Sequence, residues 1–321
     1  MSTMFRRLLV SVLATLTITL SAGAQTFPDR RIMLVVPFPP GGATDVVARV
    51  IGKKMSEIIG QPIVVENRGG AGGTIGIDYV SRQPADGYTI LFVNALAHTA
   101  AKSLYPLKYD PVTSFTTIGS VGTVSYILVA NPDFPATTLD AFIKAARAAP
   151  GKYNFASSGV ASAPHLAMEV FMRAADVKLV HVPYQGSAPA MTALLSGDAQ
   201  VALDNVAAIP FVKAAKLRAL AQTGKVRSPF LPDVPTFAEA GLPTFDVTGN
   251  WGLIAPAGVP PRAVAVLGDA LSRAVNDPGV RESLLVQGIT PEWGTAQQFA
   301  SILVSEQSKW SKIIEQANIK P

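Results

Sequence analysis

Eight consecutive residues, Phe38, Pro39, Pro40, Gly41, Gly42, Ala43, Thr44 and Asp45, have the make-up of an anion seat. Two glycines let the backbone turn tightly and approach a guest closely. Thr44 and Asp45 suit a helix start. The first turn of a helix has N–H groups with no partner inside the helix and carries the positive end of its dipole, so it attracts carboxylates. The apolar run Ile32–Val36 just before it reads as a parallel strand covered on both faces. Strand, glycine turn and bare helix N-terminus together predict a seat for a small carboxylate. Asp45 is counted with this site, although as a cap it would hold N–H groups of the loop rather than an anionic guest.

A second cluster follows another strand candidate: Ser157, Ser158, Gly159, Ser162 and His165, with Pro164 at a helix start. Its hydroxyls can take a second carboxylate or another polar group. The competing chemistry is an exported hydrolase using Ser158 and His165. The glycine-x-serine-x-glycine elbow is missing, however, and His165 suits a hydrogen-bonding role at the helix start. Asp204 ends an apolar strand with Asn205. It is either a turn residue or an acid facing the ligand, as in two-lobed amino-acid receptors that hold an ammonium this way. Tyr184 and Gln185 end a further strand and can cover or hydrogen-bond a guest.

Other chemistry is disfavoured. Glu66-NRGGAGGTIG looks like a dinucleotide loop, but with Gly70 and Gly72 in place the third glycine position is Ile75. It reads as a tight turn between strand and helix. His98, His165 and His181 are far apart and have no metal-ligand pattern, so neither a metal nor a cofactor is expected. The chain of 321 residues has no cysteine, which excludes disulfides and thiol chemistry. Its net charge of +5 is spread along the chain, so no nucleic-acid partner is implied.

The N-terminus reads as an export signal: Arg6 and Arg7, the apolar stretch Leu8–Leu20, then Ala22-Gly-Ala24. Cleavage is expected between Ala24 and Gln25, which places the mature chain in a Gram-negative periplasm, as a monomer.

Strand candidates alternate with helical segments, which implies an α/β fold on parallel sheets. The strands are Ile32–Pro37, Ile63–Glu66, Tyr88–Asn94, Tyr126–Ala130, Tyr153–Ser157, Val180–Tyr184, Gln200–Asn205, Leu217–Thr223 and Trp251–Pro256. Proline-rich junctions at 131–139 and 227–244 suggest that the chain crosses twice between two lobes. Lobe 1 would comprise residues 25–130 and 230–321, with the last helix packing on either lobe, and lobe 2 residues 131–229. Ligand would sit in the cleft, outside the carboxyl ends of the strands.

Many short segments, in order, resemble the Bug family, the receptors of tripartite tricarboxylate transporters. They include Pro37-FPPGGATD, Glu66-NRGGAGGTIG, Asp86-GYTIL, Ala156-SSGVASAPHLAMEV, Val182-PYQGSAPA, Leu231-PDVPTFAEAGLP and Trp251-GLIAPAGVP. One departure is Thr74, where the family usually has asparagine. The resemblance implies a two-lobed periplasmic solute-binding fold of type II, with two parallel-sheet lobes, a hinge and a central ligand cleft. It implies a non-enzymatic receptor for a small carboxylate, which docks on integral membrane permease subunits. The segment Asn94-ALAHT, with Asn94 and His98, becomes a third ligand-facing loop. A dicarboxylate, an amino acid and an aromatic or nicotinate-like acid all fit as ligand. Presentation of ligand to a membrane sensor kinase is the alternative role.

Overall fold

The computed structural model describes residues 27–204, 208–245, 247–317 and 319. The expected export signal and its cleavage point lie outside the described residues, as does Asn205. None of the described helices is long and apolar enough to cross a membrane.

The chain builds two sheets. It opens with β1 (Ile32–Val36), α1 (Ala43–Ile59), β2 (Ile63–Asn67), α2 (Thr74–Ser81), β3 (Thr89–Asn94), α3 (Ala95–Leu104) and β4 (Phe115–Ser125). Next come β5 (Ile127–Ala130), α4 (Leu139–Ala148), β6 (Asn154–Ser157), α5 (Ala163–Ala174), β7 (Val180–Pro183), α6 (Ser187–Ser196), β8 (Val201–Asp204), α7 (Ile209–Lys213) and β9 (Arg218–Gln222). The return comprises β10 (Thr248–Pro256), α8 (Pro261–Asn276), α9 (Pro278–Val286), β11 (Ile289–Thr295) and α10 (Ala296–Ala317).

The first sheet has the order β11-β4-β10-β3-β1-β2 and the second β7-β6-β8-β5-β9. Each is mixed rather than parallel. β1 pairs parallel with β2 and β3, but β10 runs antiparallel to β3 and β4, and β11 to β4. In the second sheet β6 pairs parallel with β7 and β8, whereas β5 is antiparallel to β8 and β9. β5 and β10 cross in from the other sheet and run against their neighbours, and β11 follows β10 in direction.

Sheet membership changes at Tyr126, so residues 127–130, expected in lobe 1, hydrogen-bond within the second sheet. The way back runs later than expected. Phe237 and Phe245 still pack on Phe171 of α5, at 5.8 and 5.7 Å between ring centres. The last helix packs chiefly on the first lobe, against α3 and β4.

The two crossings are tied together. Tyr126 N donates to Thr223 Oγ1 (2.8 Å), and Thr223 N donates to the Tyr126 carbonyl (2.8 Å). These bonds satisfy backbone groups buried at the crossing.

Candidate functional site

Four helix N-termini converge where the sheets meet, around an inner cavity of about 50 Å³. From the first lobe, β1 delivers the loop Phe38–Gly42. Gly41 takes a φ of +82°, open to glycine at little steric cost. Gly42 is the N-cap of α1 and has no side chain to bond the first turn. The N-terminal N–H groups of α1 are thus left for a guest.

Asp45 does not reach into the cavity. It is 3% exposed and accepts from Gly41 N (2.9 Å), Arg49 Nε (3.0 Å) and Asn67 Nδ2 (2.9 Å). Asn67 Nδ2 also donates to the Phe38 carbonyl (3.0 Å). Burial opposes the charge on Asp45. The hydrogen bonds from Arg49, Gly41 and Asn67, with the Arg49 charge, outweigh it and hold the carboxyl below its usual range. The acid is a brace that fixes the loop from beneath.

The segment from Asn94 is a helix rather than a loop. Asn94 Oδ1 accepts from Leu96 N (3.1 Å) and Ala97 N (3.4 Å), and so caps α3. Its Nδ2 faces Tyr126 Oη at 3.4 Å. His98 lies one turn on and points away: its Nε2 meets the Pro111 carbonyl at 2.7 Å, among Tyr109 and Phe115. Burial lowers its pKa to about 4. His98 is a core residue, not part of the cavity wall.

From the second lobe, Ser158 and Ser162 reach the cavity, but Ser157 and His165 stay beneath it. Ser162 caps α5 by accepting from His165 N (3.4 Å) and donates to the Gly159 carbonyl (2.6 Å). Ser157 Oγ lies 2.7 Å from His181 Nε2, and it also bonds the Gly159 N–H and carbonyl. Ala161 N donates to His165 Nδ1 (3.1 Å). The imidazoles of His165 and His181 stack 4.1 Å apart, with Phe155 alongside. Burial lowers His165 to about 4, and burial with the His165 neighbour lowers His181 to about 3. Both are neutral near pH 7. His165 already accepts from a backbone N–H, so it is not placed as a base for Ser158.

The sequence missed part of the wall. Gly186, at φ +114°, is the N-cap of α6 and also has no capping side chain. Ser187, Tyr126 and Trp251 line the cavity with it, beside Gln185, which the sequence did mark as able to cover a guest. Trp251 lies opposite Asn94 in the β10–β3 register and packs edge-to-face on Phe92 at 5.6 Å. Burial pushes the Tyr126 phenol up, so it stays protonated. Tyr184 and Gly159 belong to an outer chamber of about 750 Å³, which shares Phe38, Pro39, Pro40, Ser158, Gln185 and Gly186 with the inner one. Asp204 is buried at the end of β8 and lies outside both chamber walls. In the β8–β5 register it stands opposite Ile127, and its charge is felt at Tyr126.

The lobes touch across the cleft. Tyr105 Oη donates to the Val160 carbonyl (3.4 Å), and a Cβ added to Gly72 would sit 2.7 Å from the same oxygen. Pro39 packs between Gly69 of its own lobe and Gly186 of the other.

Among the described residues, none that lines the inner cavity carries a formal charge. A guest there meets N–H and O–H donors and positive helix ends, and no ion-pair partner. This arrangement suits an anion with several acceptor oxygens.

Comparison with known proteins agrees with this chemistry. Residues 47–319 match the model of the tripartite tricarboxylate transporter family receptors. Protein BugT of Bordetella pertussis is 36% identical over 311 residues, covering 96% of this chain and 95% of BugT. The solved structure of MatC from Rhodopseudomonas palustris, with bound malate, is 35% identical with a TM-score of 0.86. That match covers 90% of this chain and 100% of MatC. A second R. palustris protein, solved with adipate, is 34% identical with a TM-score of 0.88, covering 92% of this chain and 99% of that one. Fold, cleft and sequence together place this chain in the tripartite tricarboxylate transporter receptor family, among the Bug-type periplasmic solute-binding proteins.

Proposed function

We propose that this protein captures a small organic carboxylate in the periplasm and delivers it to the membrane subunits of a tripartite tricarboxylate transporter, without turning it over. The observation that carries the reading is the pair of uncapped helix N-termini, at Gly42 and Gly186, on opposite sides of one cavity whose described lining residues carry no charge. Each lobe offers one carboxylate seat, so a dicarboxylate bridges the lobes and favours their closed arrangement. The malate and adipate bound by the relatives are acids of this kind. The hinge is the Tyr126–Thr223 pair. The protein acts as a monomer, exported by the N-terminal signal.

The test is native mass spectrometry of co-purified ligand, followed by calorimetry with malate, succinate and adipate. An acid should bind without a divalent ion, and at about 100 times Kd should stabilise the fold by about 2.7 kcal/mol. Scattering should show a smaller radius of gyration with ligand than without. Affinity that vanishes with a chelator, or turnover of the bound acid, would overturn the proposal.

A further inference from the structure

The inner cavity also speaks to what its guest must lack. An ammonium group needs acceptors, best of all a carboxylate. The two acids nearest in sequence to the binding loops do not supply one: Asp45 is bonded to Gly41, Arg49 and Asn67, and Asp204 lies outside the wall. The helices that face the cavity all present their positive ends to it. The Asn94 side-chain oxygen is already taken by Leu96 N and Ala97 N, so what it has left to offer is its amide NH₂, which also donates to Tyr126 Oη. Ser162 donates to Gly159, so its proton does not claim a guest oxygen and its lone pairs serve His165 N.

A second observation points the same way. Trp251 lines the cavity, is 1% exposed, and its indole Nε1–H has no hydrogen-bond partner. A buried donor left unpaired costs free energy, and a bound acceptor would recover it. Indole nitrogen can only donate. Trp251 is thus one more group that suits oxygen and opposes ammonium.

We propose that this cavity, whose described wall holds unpaired donors and positive helix ends but no carboxylate, selects amine-free acids against the corresponding α-amino acids, and that Trp251 Nε1–H donates to an acceptor oxygen of the bound acid. The inference rests on the carboxylate-receptor reading above and narrows its ligand class.

The test uses pairs that share a carbon skeleton and differ in one ammonium: succinate and L-aspartate, adipate and L-2-aminoadipate, 3-phenylpropionate and L-phenylalanine. Whichever skeleton binds, calorimetry should give the amine-free member at least tenfold tighter affinity. Trp251→Phe keeps the ring on Phe92 and removes the N–H. It should weaken the preferred acid about fivefold or more while the melting temperature without ligand stays within a few degrees. Equal affinity within each pair, or tighter binding of the amino acid, overturns the selection. Unchanged affinity in the folded Trp251→Phe protein overturns the role of the indole. Binding of no acid in any pair, with none co-purifying, overturns the receptor reading itself, a result distinct from both.

Discussion

The two loops that frame the cavity have the same plan and opposite supports. Each follows a parallel strand, turns through glycine and opens a helix toward the guest. Beneath the first loop lies a charged lattice of Asp45, Arg49 and Asn67. Beneath the second lies a neutral stack of Phe155, His181 and His165, tied to the loop through Ser157 and Ala161. The reason lies in access to water. Arg49 keeps about half its side-chain surface exposed, so a charged pair there is only partly desolvated. His165 is buried and His181 half-buried, and burial, with their mutual proximity at His181, removes their charge. A rigid anion seat can be built either way, but the two versions should fail under different conditions.

The largest effect should come from filling the first seat. Gly42 has an extended backbone, φ −80° and ψ 167°, which valine adopts freely. A Cβ there meets only the Pro39 carbonyl, at 3.8 Å. Gly42→Val should fold normally and place its side chain where the carboxylate approaches α1. Losing charge-assisted main-chain bonds should cost about 3 kcal/mol or more of binding, roughly 100-fold in Kd. Calorimetry on a variant whose circular dichroism is unchanged checks this. A folded variant with wild-type affinity would remove the seat from α1.

Acid should separate the two supports. The histidines are depressed in the folded state from about 6.5 to about 4 and 3. As pH falls below 6.5 the unfolded chain takes up protons that the fold refuses, so stability is lost. The loss is at most about 1.4 kcal/mol per pH unit for each histidine, and it ends near the folded values. Asp45 runs the other way. Its folded pKa lies below the usual 3.8, so its contribution is present above that value and is lost only as pH falls through the lowered one. Between pH 6.5 and 4 the second support should weaken while the Asp45 brace is kept, although buried His98 gives the first lobe an acid-sensitive group of its own over the same range. Thermal unfolding at pH 7 and 5, for the wild type and for His181→Gln, measures the difference. His181→Gln should be less stable at pH 7 and lose less on acidification. Parallel curves for the two proteins would mean that the stack does not carry the acid sensitivity.

The same contrast governs what could be read from the residues. The first loop was legible because glycine, proline and a helix start are local signals, and the nine strand candidates were legible as apolar runs. β4 was not. Its sequence FTTIGSVGTVS has no apolar run, because it is a central strand crossed closely by neighbours. Gly119 accommodates the Gly294 carbonyl, and Gly122 that of Thr290. Trp251 and Tyr126 stood within recognised strand segments, yet their place on the wall depends on the register of β10 with β3 and on the crossing at Tyr126. Both are long-range facts. His98 erred in the other direction: one helical turn after Asn94 looks adjacent in sequence, but the turn carries the ring toward Pro111 and the core. Ser157 and Ser158 show the same at finer scale. Successive residues leaving a strand face opposite ways, and only Ser158 meets the cavity.

That last pair supplies the smallest effect and the finest check on the comparison. Ser158 lines both chambers, and no hydrogen bond fixes its hydroxyl among the described contacts. Ser158→Ala therefore removes one neutral donor, and water can take its place. Binding should weaken by about 0.5–1.5 kcal/mol, with stability unchanged. Ser157→Ala removes a buried hydroxyl that bonds His181 and both polar groups of Gly159. The Gly159 carbonyl keeps its bonds from Ser162, but His181 Nε2 and the Gly159 N–H lose this partner, so the change should cost stability, by about 1–3 kcal/mol, more than it costs affinity. Calorimetry and thermal unfolding on both variants give four numbers that should cross: affinity falls at 158, stability at 157. If both variants lost affinity alone, the histidine stack would be part of the binding surface rather than its support. If neither lost affinity, the second lobe would hold its share of the ligand through the α6 N-terminus at Gly186 and not through the serine loop.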